Sequence, residues 1–168
     1  MLTLGIDPGT ALTGYALVRQ DAGDPELLTA GVIRTTAGEP LASRLQAIYR
    51  EVLRLAEEYR PHAAAVEEVF FSRNVRTALA VGHARGVVLL ALAEAGVPVL
   101  EYKPTVVKQS VTGYGAADKT QMQEMVRLLL HLPEVLQPDD AADAAAIALC
   151  HLQHERFSSA VVASHHRG

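Results

Sequence analysis

Hydrophobic residues follow two different periods along this chain of 168 residues. Leu2, Leu4 and Ile6 alternate with other residues, as in a strand with one buried face. Between Leu41 and Tyr59 the apolar residues recur every three or four positions, which indicates a helix. Along the whole chain these periods predict strands at 2–7, 13–18, 27–35, 63–67 and 97–102, and helices at 41–59, 75–95, 104–112, 118–131 and 140–154.

The order of these elements predicts the fold class. Three consecutive strands with short connections favour an antiparallel meander, and the later alternation of helix and strand favours a mixed sheet. We therefore expect an α/β protein with a mixed five-stranded sheet flanked by helices. Residues 1–156 are expected to form one domain. Residues 157–168 show no periodicity and are expected to form a disordered C-terminal tail.

Composition narrows the class of protein. Apolar residues make up 49% of the chain, which is typical of an ordered domain. The longest apolar run, 86–93, is too short to cross a bilayer. Cys150 is the single cysteine, so no internal disulfide can form. The N-terminus lacks the pattern of a signal peptide. We expect a cytoplasmic protein with no membrane contact.

Charge is unevenly distributed along the chain. The net charge is −4, but residues 73–127 contain seven basic and four acidic residues and are therefore net positive. A local positive region can bind phosphate whatever the overall charge is. A chance fluctuation of surface charge explains the counts equally well.

Four carboxylates lie where predicted elements end or begin. Asp7 and Glu67 end apolar strands, and Asp140 and Asp143 open the last helix. Neighbouring acids in a buried setting require a cation, and ligand sets made only of oxygen suit Mg2+ or Mn2+. Paired Mg2+ ions activate water against phosphodiesters. The sequence therefore predicts a metal-dependent phosphoryl-transfer enzyme and favours a nuclease.

Each acid also has an alternative interpretation. Asp7 could belong to an ordinary Asp-Pro-Gly turn, or to the phosphate-binding turn of actin-like ATPases, which need a second such domain. Asp139 or Asp140 could simply cap the helix. Glu67 and Glu68 face opposite sides of a strand, so only one can join Asp7. Glu67 directly follows the apolar run and is the one we expect.

Two further segments suggest contacts with other molecules. Residues 70–74 (FFSRN) combine aromatic rings that can stack on bases with an arginine that can bind phosphate, although one phenylalanine could instead fill the core. Ala78, Gly82 and Gly86 form a stripe of small residues at helical spacing. Such a stripe lets another backbone approach closely, either within the domain or in a dimer. In a dimer, apolar area would come from three further residues of the same helix, Val87, Leu90 and Ala91.

Four ordered blocks resemble the RuvC family of Holliday-junction resolvases. They are GIDPGTALTGYA (5–16), AVEEVFFSRNVRTALAVGHARG (65–86), EYKPTVVKQSVTGYGAADKTQMQ (101–123) and DDAADAAAIALCH (139–151). The resemblance implies a ribonuclease H-like fold, a homodimer and paired nicks in a four-way DNA junction. We expect two Mg2+ ions per active site, for which Mn2+ can substitute. A branch-migration helicase complex is a further candidate partner.

The resemblance also implies roles for single residues. It supports a metal-binding set of Asp7, Glu67, Asp140 and Asp143. Phe70 falls on the family's junction-probing aromatic position, and Lys108 and Lys119 fall on basic positions near the scissile phosphate. The expected DNA contacts are Phe70, Arg73, Arg76, Lys108 and Lys119, and Lys119 is also expected to be catalytic. Asp139 lies beside Asp140, which leaves the choice between these two acids open.

Two other functions remain open on the sequence alone. A non-catalytic module of the same fold could bind junctions without cutting them. An RNA-processing nuclease of the same superfold would use similar carboxylates on a different nucleic acid. We interpret the chain as a resolvase because all four carboxylates are present.

Overall fold

The protein is described here by a computed structural model, which covers residues 1–68 and 75–165, with side chains for 1–68 and 78–157. Its strands are β1 (Leu2–Asp7), β2 (Leu12–Arg19), β3 (Glu26–Arg34), β4 (Ala63–Glu67) and β5 (Val99–Tyr102). Its helices are α1 (Leu41–Tyr59), α2 (Val75–Glu94), α3 (Pro104–Thr112), α4 (Lys119–Leu129) and α5 (Asp139–His165). All five strands and the first four helices begin and end within two residues of the predicted bounds.

The five strands form one mixed sheet in the order β3-β2-β1-β4-β5. β2 pairs antiparallel with both β1 and β3, whereas β4 pairs parallel with both β1 and β5. The predicted mixed five-stranded sheet is therefore confirmed. The short connections force the first three strands to turn back on one another, and α1 and α2 supply the crossovers that parallel pairing requires.

Alternation along the central strand divides the core into two layers. Leu4 and Ile6 are completely buried on one face, in a cluster with residues of α1 and α2. The other face meets α5, α3 and α4, where Ala16 and Ala65 are buried. Asp7 ends β1 two residues beyond Gly5 and therefore lies on the second face, toward α5.

The last helix continues well past its predicted end. We expected it to stop at 154 and to be followed by a frayed tail, but α5 runs to His165. The sequence from Asp139 to Arg167 contains neither glycine nor proline, so no residue interrupts the backbone hydrogen bonds. The hydrophobic periodicity ends near residue 156 because the helix no longer packs against the domain there, and not because the helix ends. Phe157, for example, is 73% exposed. The domain boundary at 156 stays a prediction.

Within the described part of the chain, no helix is both long enough and apolar enough to cross a membrane.

Candidate active site

Two glycines bring α5 unusually close to the sheet. A Cβ on Gly5 would lie 2.8 Å from the backbone nitrogen of Ala148 and 2.9 Å from its Cβ, and even closer to the carbonyl oxygen of Ala144. A Cβ on Gly14 would overlap the carbonyl oxygen of Asp140. Neither contact leaves room for a side chain. The carboxylates at the start of α5 are therefore held directly against β1 and β2.

Strand register then places these carboxylates beside the two strand-end acids. Asp7 pairs with Gly14 across β1 and β2. Glu67 follows Val66, which pairs with Ile6 one residue before Asp7. Asp7 and Glu67 thus end adjacent parallel strands on the face that α5 covers. The adjacent Glu68 is not among the residues that line the cleft between these elements.

Three of the four predicted carboxylates share this cleft, which has a volume of about 230 Å³. Asp7, Glu67 and Asp143 face it together with Lys108 and Lys119. Its remaining walls are largely apolar and are formed by Pro104, Val107, Met122, Ala146 and Ile147. Such walls lower the local dielectric and strengthen every charge interaction inside the cleft.

Asp140, the fourth predicted carboxylate, is not among the residues that line this cleft. It lines a second depression, between the turn at residues 9–12 and α2, together with Ala80 and Val81. Its charge still acts on Asp7, whose pKa it helps to raise.

Burial and mutual repulsion dominate the electrostatics of the cleft. Burial, followed by the charges of Glu67, Asp143 and Asp140, raises the pKa of Asp7 to about 7. Burial and the charge of Asp143 raise the pKa of Glu67 to about 7, against the opposing effect of Lys108. The pKa of Asp143 is also raised, chiefly by burial, although Lys119 opposes the shift. These groups resist ionising together unless more positive charge is supplied.

The donor set fits a hard divalent cation. Its facing atoms are carboxylate oxygens, the ligands that Mg2+ and Mn2+ prefer, and two lysines alone do not bring the pKa values of Asp7 and Glu67 back to the ordinary range. Across the described residues, no three acid, histidine or cysteine side chains are close enough to chelate one ion as they stand. An ion would therefore bind with some rotation of these carboxylates.

Lys119 lies at the rim of the cleft, between two acids of α5. Its Nζ is 2.9 Å from Asp139 Oδ2 and 3.7 Å from Asp143 Oδ2. Gln123 donates to the other oxygen of Asp139 at 2.8 Å. These two hydrogen bonds lower the pKa of Asp139. Asp139 thus faces α4, whereas the backbone and Cβ of Asp140 lie against Gly14 of β2.

The turn after Asp7 is held by hydrogen bonds that the sequence did not reveal. The buried hydroxyl of Thr13 donates to the carbonyl oxygen of Gly9 at 2.7 Å. Arg44 of α1 donates to the carbonyl oxygen of Thr10 and to Thr35 Oγ1, both at 2.8 Å. The turn that directly follows the first carboxylate is therefore fixed on both sides.

The predicted DNA contacts fall partly outside the described structure. Phe70 and Arg73 lie outside the described residues. Arg76 lies in the first turn of α2, but its side chain is not described. Lys108 and Lys119 are the two predicted contacts that the structure places, and both line the cleft.

The solvent-exposed face of α2 is the surface that the sequence offers for a second copy of the chain, and its residues differ in part from those expected. Leu79 and Leu90 are each 58% exposed, and a Cβ on Gly82 would meet nothing within 4 Å. Ala91, which we expected to add apolar area there, is completely buried against the core. Val87 also packs against that core. The exposed apolar face of α2 is therefore the one that carries Leu79 and Leu90, and the prediction that Ala91 belongs to it was wrong. A helix that is apolar on all sides does not reveal from its sequence which side is buried.

Comparison with known proteins identifies relatives along nearly the whole chain. The family described as "Crossover junction endodeoxyribonuclease RuvC" matches residues 3–151. The curated RuvC of Roseiflexus sp. (strain RS-1) is 58% identical over 149 residues, covering 89% of each chain. That of Chloroflexus aggregans is 59% identical over 151 residues, covering 90% of this chain and 92% of the relative.

Solved structures agree with this assignment. A structure titled "T. thermophilus RuvC in complex with Holliday junction substrate" superimposes with a TM-score of 0.89 at 43% identity, covering 94% of this chain and 96% of that one. The ribonuclease H-like fold class expected from the sequence is confirmed.

Proposed function

This chain belongs to the RuvC family of crossover junction endodeoxyribonucleases, and we propose that it resolves Holliday junctions in homologous recombination and DNA repair by making paired, symmetric nicks in four-way DNA. The observation that supports this function most directly is the convergence of Asp7, Glu67 and Asp143 with two lysines on one cleft. A carboxylate cluster beside fixed positive charge suits hydrolysis of a phosphodiester.

The proposed metal-binding set is Asp7, Glu67, Asp140 and Asp143. Two Mg2+ ions bound there, or Mn2+ in their place, would supply an activated water and stabilisation of the leaving 3′ oxygen. The four carboxylates would determine where the metal ions bind. The close contacts of Gly5 and Gly14 with α5 hold the helix that carries Asp140 and Asp143 against the sheet. The expected products are a 5′ phosphate and a 3′ hydroxyl.

The lysines act on the phosphate that undergoes cleavage. Lys108 faces Glu67 within the cleft, and Lys119 lies at its rim beside Asp143. Both ammonium groups are placed to offset the negative charge that develops on the phosphate in the transition state. Because Lys119 is the first residue of α4, its backbone is held rigidly and we assign the larger effect on rate to it.

Other DNA contacts are proposed from sequence position. Phe70 follows Glu67 by three residues and is proposed to stack on a base at the junction centre. Arg73 and Arg76 are proposed to contact phosphates near it. These residues precede or begin α2, whose outer face is the proposed contact between two copies of the chain.

A homodimer would supply the second nick. Symmetric resolution needs two cleavage sites related by a twofold axis, and the described chain contains one carboxylate cleft of this kind. Leu79 and Leu90 provide exposed apolar side chains on α2, and Gly82 and Gly86 between them permit close approach of a second helix. We propose that two copies pack through this face.

The deciding experiment uses a synthetic four-way DNA junction. The wild-type protein should cut two opposing strands in Mg2+ and none in EDTA, and it should leave a linear duplex of the same sequences uncut. Asp7→Asn removes one charge at nearly constant volume, so it should still bind the junction but not cut it. Binding without cleavage by the wild type would instead support a non-catalytic junction-binding module. Preferential cleavage of the matched RNA would support an RNA-processing nuclease.

A further inference from the structure

Asp139 is held from two sides by one face of α4. Lys119 and Gln123 are four residues apart and therefore lie on the same side of that helix. Lys119 contacts Oδ2 of Asp139 at 2.9 Å, and Gln123 donates to Oδ1 at 2.8 Å. Both oxygens of this carboxylate are thus engaged by α4 and neither is directed into the metal cleft.

The same contacts determine where the ammonium group of Lys119 lies. Asp139 and Asp143 are one helical turn apart on α5, and Lys119 Nζ lies between them, 3.7 Å from Asp143 Oδ2. Without Asp139, the only acid of this pair left beside Lys119 would be Asp143. Lys119 would then neutralise a carboxylate that the proposed mechanism needs for a cation. Asp139 therefore keeps the lysine near the cleft and also keeps it off Asp143.

We propose that Asp139, oriented by Gln123, is a positioning residue that holds Lys119 at the rim of the cleft for the reaction. This inference rests on the proposed function, because the position matters only if a phosphate is cut there. It assigns the adjacent acids Asp139 and Asp140 different tasks: Asp140 contributes to the charge around Asp7, and Asp139 acts through Lys119.

The support beneath this pair is rigid, which positioning requires. The side chain of Asp118 caps α4 by accepting from the backbone N–H of Gln121, and the side chain of Gln121 accepts from the backbone N–H of Asp118. Met122 and Val126, each three residues after Lys119 or Gln123, lie beside the face that carries those two residues and anchor α4 in the core. The lysine, by contrast, is 55% exposed, so a contact at its tip is needed to fix its long side chain.

Stability does not explain the arrangement. The side chains of Lys119 and Asp139 are about half exposed, and ion pairs between exposed groups contribute little to folding. A purely structural pair would therefore leave cleavage unchanged when it is removed. Removal of a positioning pair would instead slow cleavage, while folding and junction affinity would remain almost unchanged.

A double-mutant cycle tests this directly. In single-turnover cleavage at saturating Mg2+, Asp139→Ala should slow the reaction roughly three- to tenfold, and Gln123→Leu should slow it about twofold. Asp139→Asn, which still accepts a hydrogen bond, should lose less than Asp139→Ala. In the Lys119→Ala background, Asp139→Ala should have no further effect, because residues that act through one another are not additive.

The matched control is Glu124→Ala. Glu124 follows Gln123 on α4 and pairs with Arg127. Its removal deletes an exposed ion pair on the same helix and should leave the cleavage rate unchanged. An effect of Asp139→Ala that persists in full without Lys119 would overturn the inference and would assign Asp139 to the metal site instead.

A second measurement does not depend on cleavage. Brief acetylation of the metal-free protein, followed by mass spectrometry, reports how firmly each amine is held. Asp139→Ala should increase labelling of Lys119 about threefold and leave Lys108 unchanged. Equal labelling of Lys119 in both proteins would overturn the inference even if the wild type cuts junctions. A wild type that cuts no junction would overturn the proposed function, and the labelling would then report only the contact.

Discussion

The carbonyl oxygen of Asp140 occupies the space where a side chain of Gly14 would begin. Gly14 is also the register partner of Asp7 across β1 and β2. One absent side chain therefore sets the distance between the strand-end carboxylate and the start of α5. The nearest obstacle is backbone, so it cannot move aside as a flexible side chain can.

Gly14→Ala should consequently push the start of α5 away from the sheet. We expect a loss of stability of about 1–3 kcal/mol, as for other overpacked contacts, and a larger proportional loss of cleavage because the carboxylates no longer converge. Gly38→Ala is the control, since a Cβ there meets nothing within 4 Å. Thermal unfolding and junction cleavage measure the two effects. Full activity in Gly14→Ala would mean that the close approach of α5 is not needed for the site.

The two adjacent glutamates should differ sharply in their importance. Glu67 faces the cleft with Asp7, whereas Glu68 is not among the residues that line it. Glu67→Gln should reduce cleavage by about 100-fold or more through loss of a metal ligand, and Glu68→Gln should change it by less than about threefold. Steady-state cleavage of a junction by both variants decides the matter. Greater damage from Glu68→Gln would contradict the orientation of β4 proposed for the active protein.

Stability of the metal-free protein should fall as pH rises from about 4 to 7. The folded pKa values of Asp7 and Glu67, about 7, exceed their ordinary values of 3.8 and 4.5. The folded protein therefore binds more protons than the unfolded chain over this interval, and its stability decreases with pH. The fall should be roughly 2–4 kcal/mol, since each unit of pKa difference corresponds to about 1.4 kcal/mol and the two ionisations are coupled.

Denaturant titrations at several pH values, with and without Asp7→Asn, test this expectation. The variant should flatten the pH dependence and be more stable than the wild type at pH 8 in EDTA. Adding Mg2+ should stabilise the wild type more than the variant, because the ion binds the charged folded form. Parallel pH curves for the two proteins would show that Asp7 ionises as freely when folded as when unfolded.

Gly82→Arg should convert the proposed dimer into monomers. The glycine lies on the open face of α2, where a bulky charge fits a single chain but not two helices in close contact. Light scattering should give about twice the single-chain mass of 18.0 kDa for the wild type and that mass itself for the variant. Gly38→Arg adds the same charge at another open site and should not change the mass. A wild type that is monomeric at micromolar concentration and cuts junctions would contradict the dimer.

Local sequence determined the elements of this fold. Alternating and helical hydrophobic periods place β1, β4, α1 and α3 at their observed bounds, because each pattern depends only on neighbouring residues. The strand-end positions of Asp7 and Glu67 follow from the same patterns. The end of α5 was missed because a helix continues through hydrogen bonds within its own backbone and needs no buried face.

Only the tertiary structure decided which neighbouring element each of the acids at the start of α5 contacts. The resemblance favoured Asp140 over Asp139 but left the choice open. In the structure Asp139 contacts Lys119 and Gln123 of α4, and Asp140 lies over Gly14 of β2. Those partners are distant in the sequence, and a glycine within a strand only signals that something comes close, without naming what does. The direction of each carboxylate therefore depends on packing between elements, which no local pattern of residues encodes.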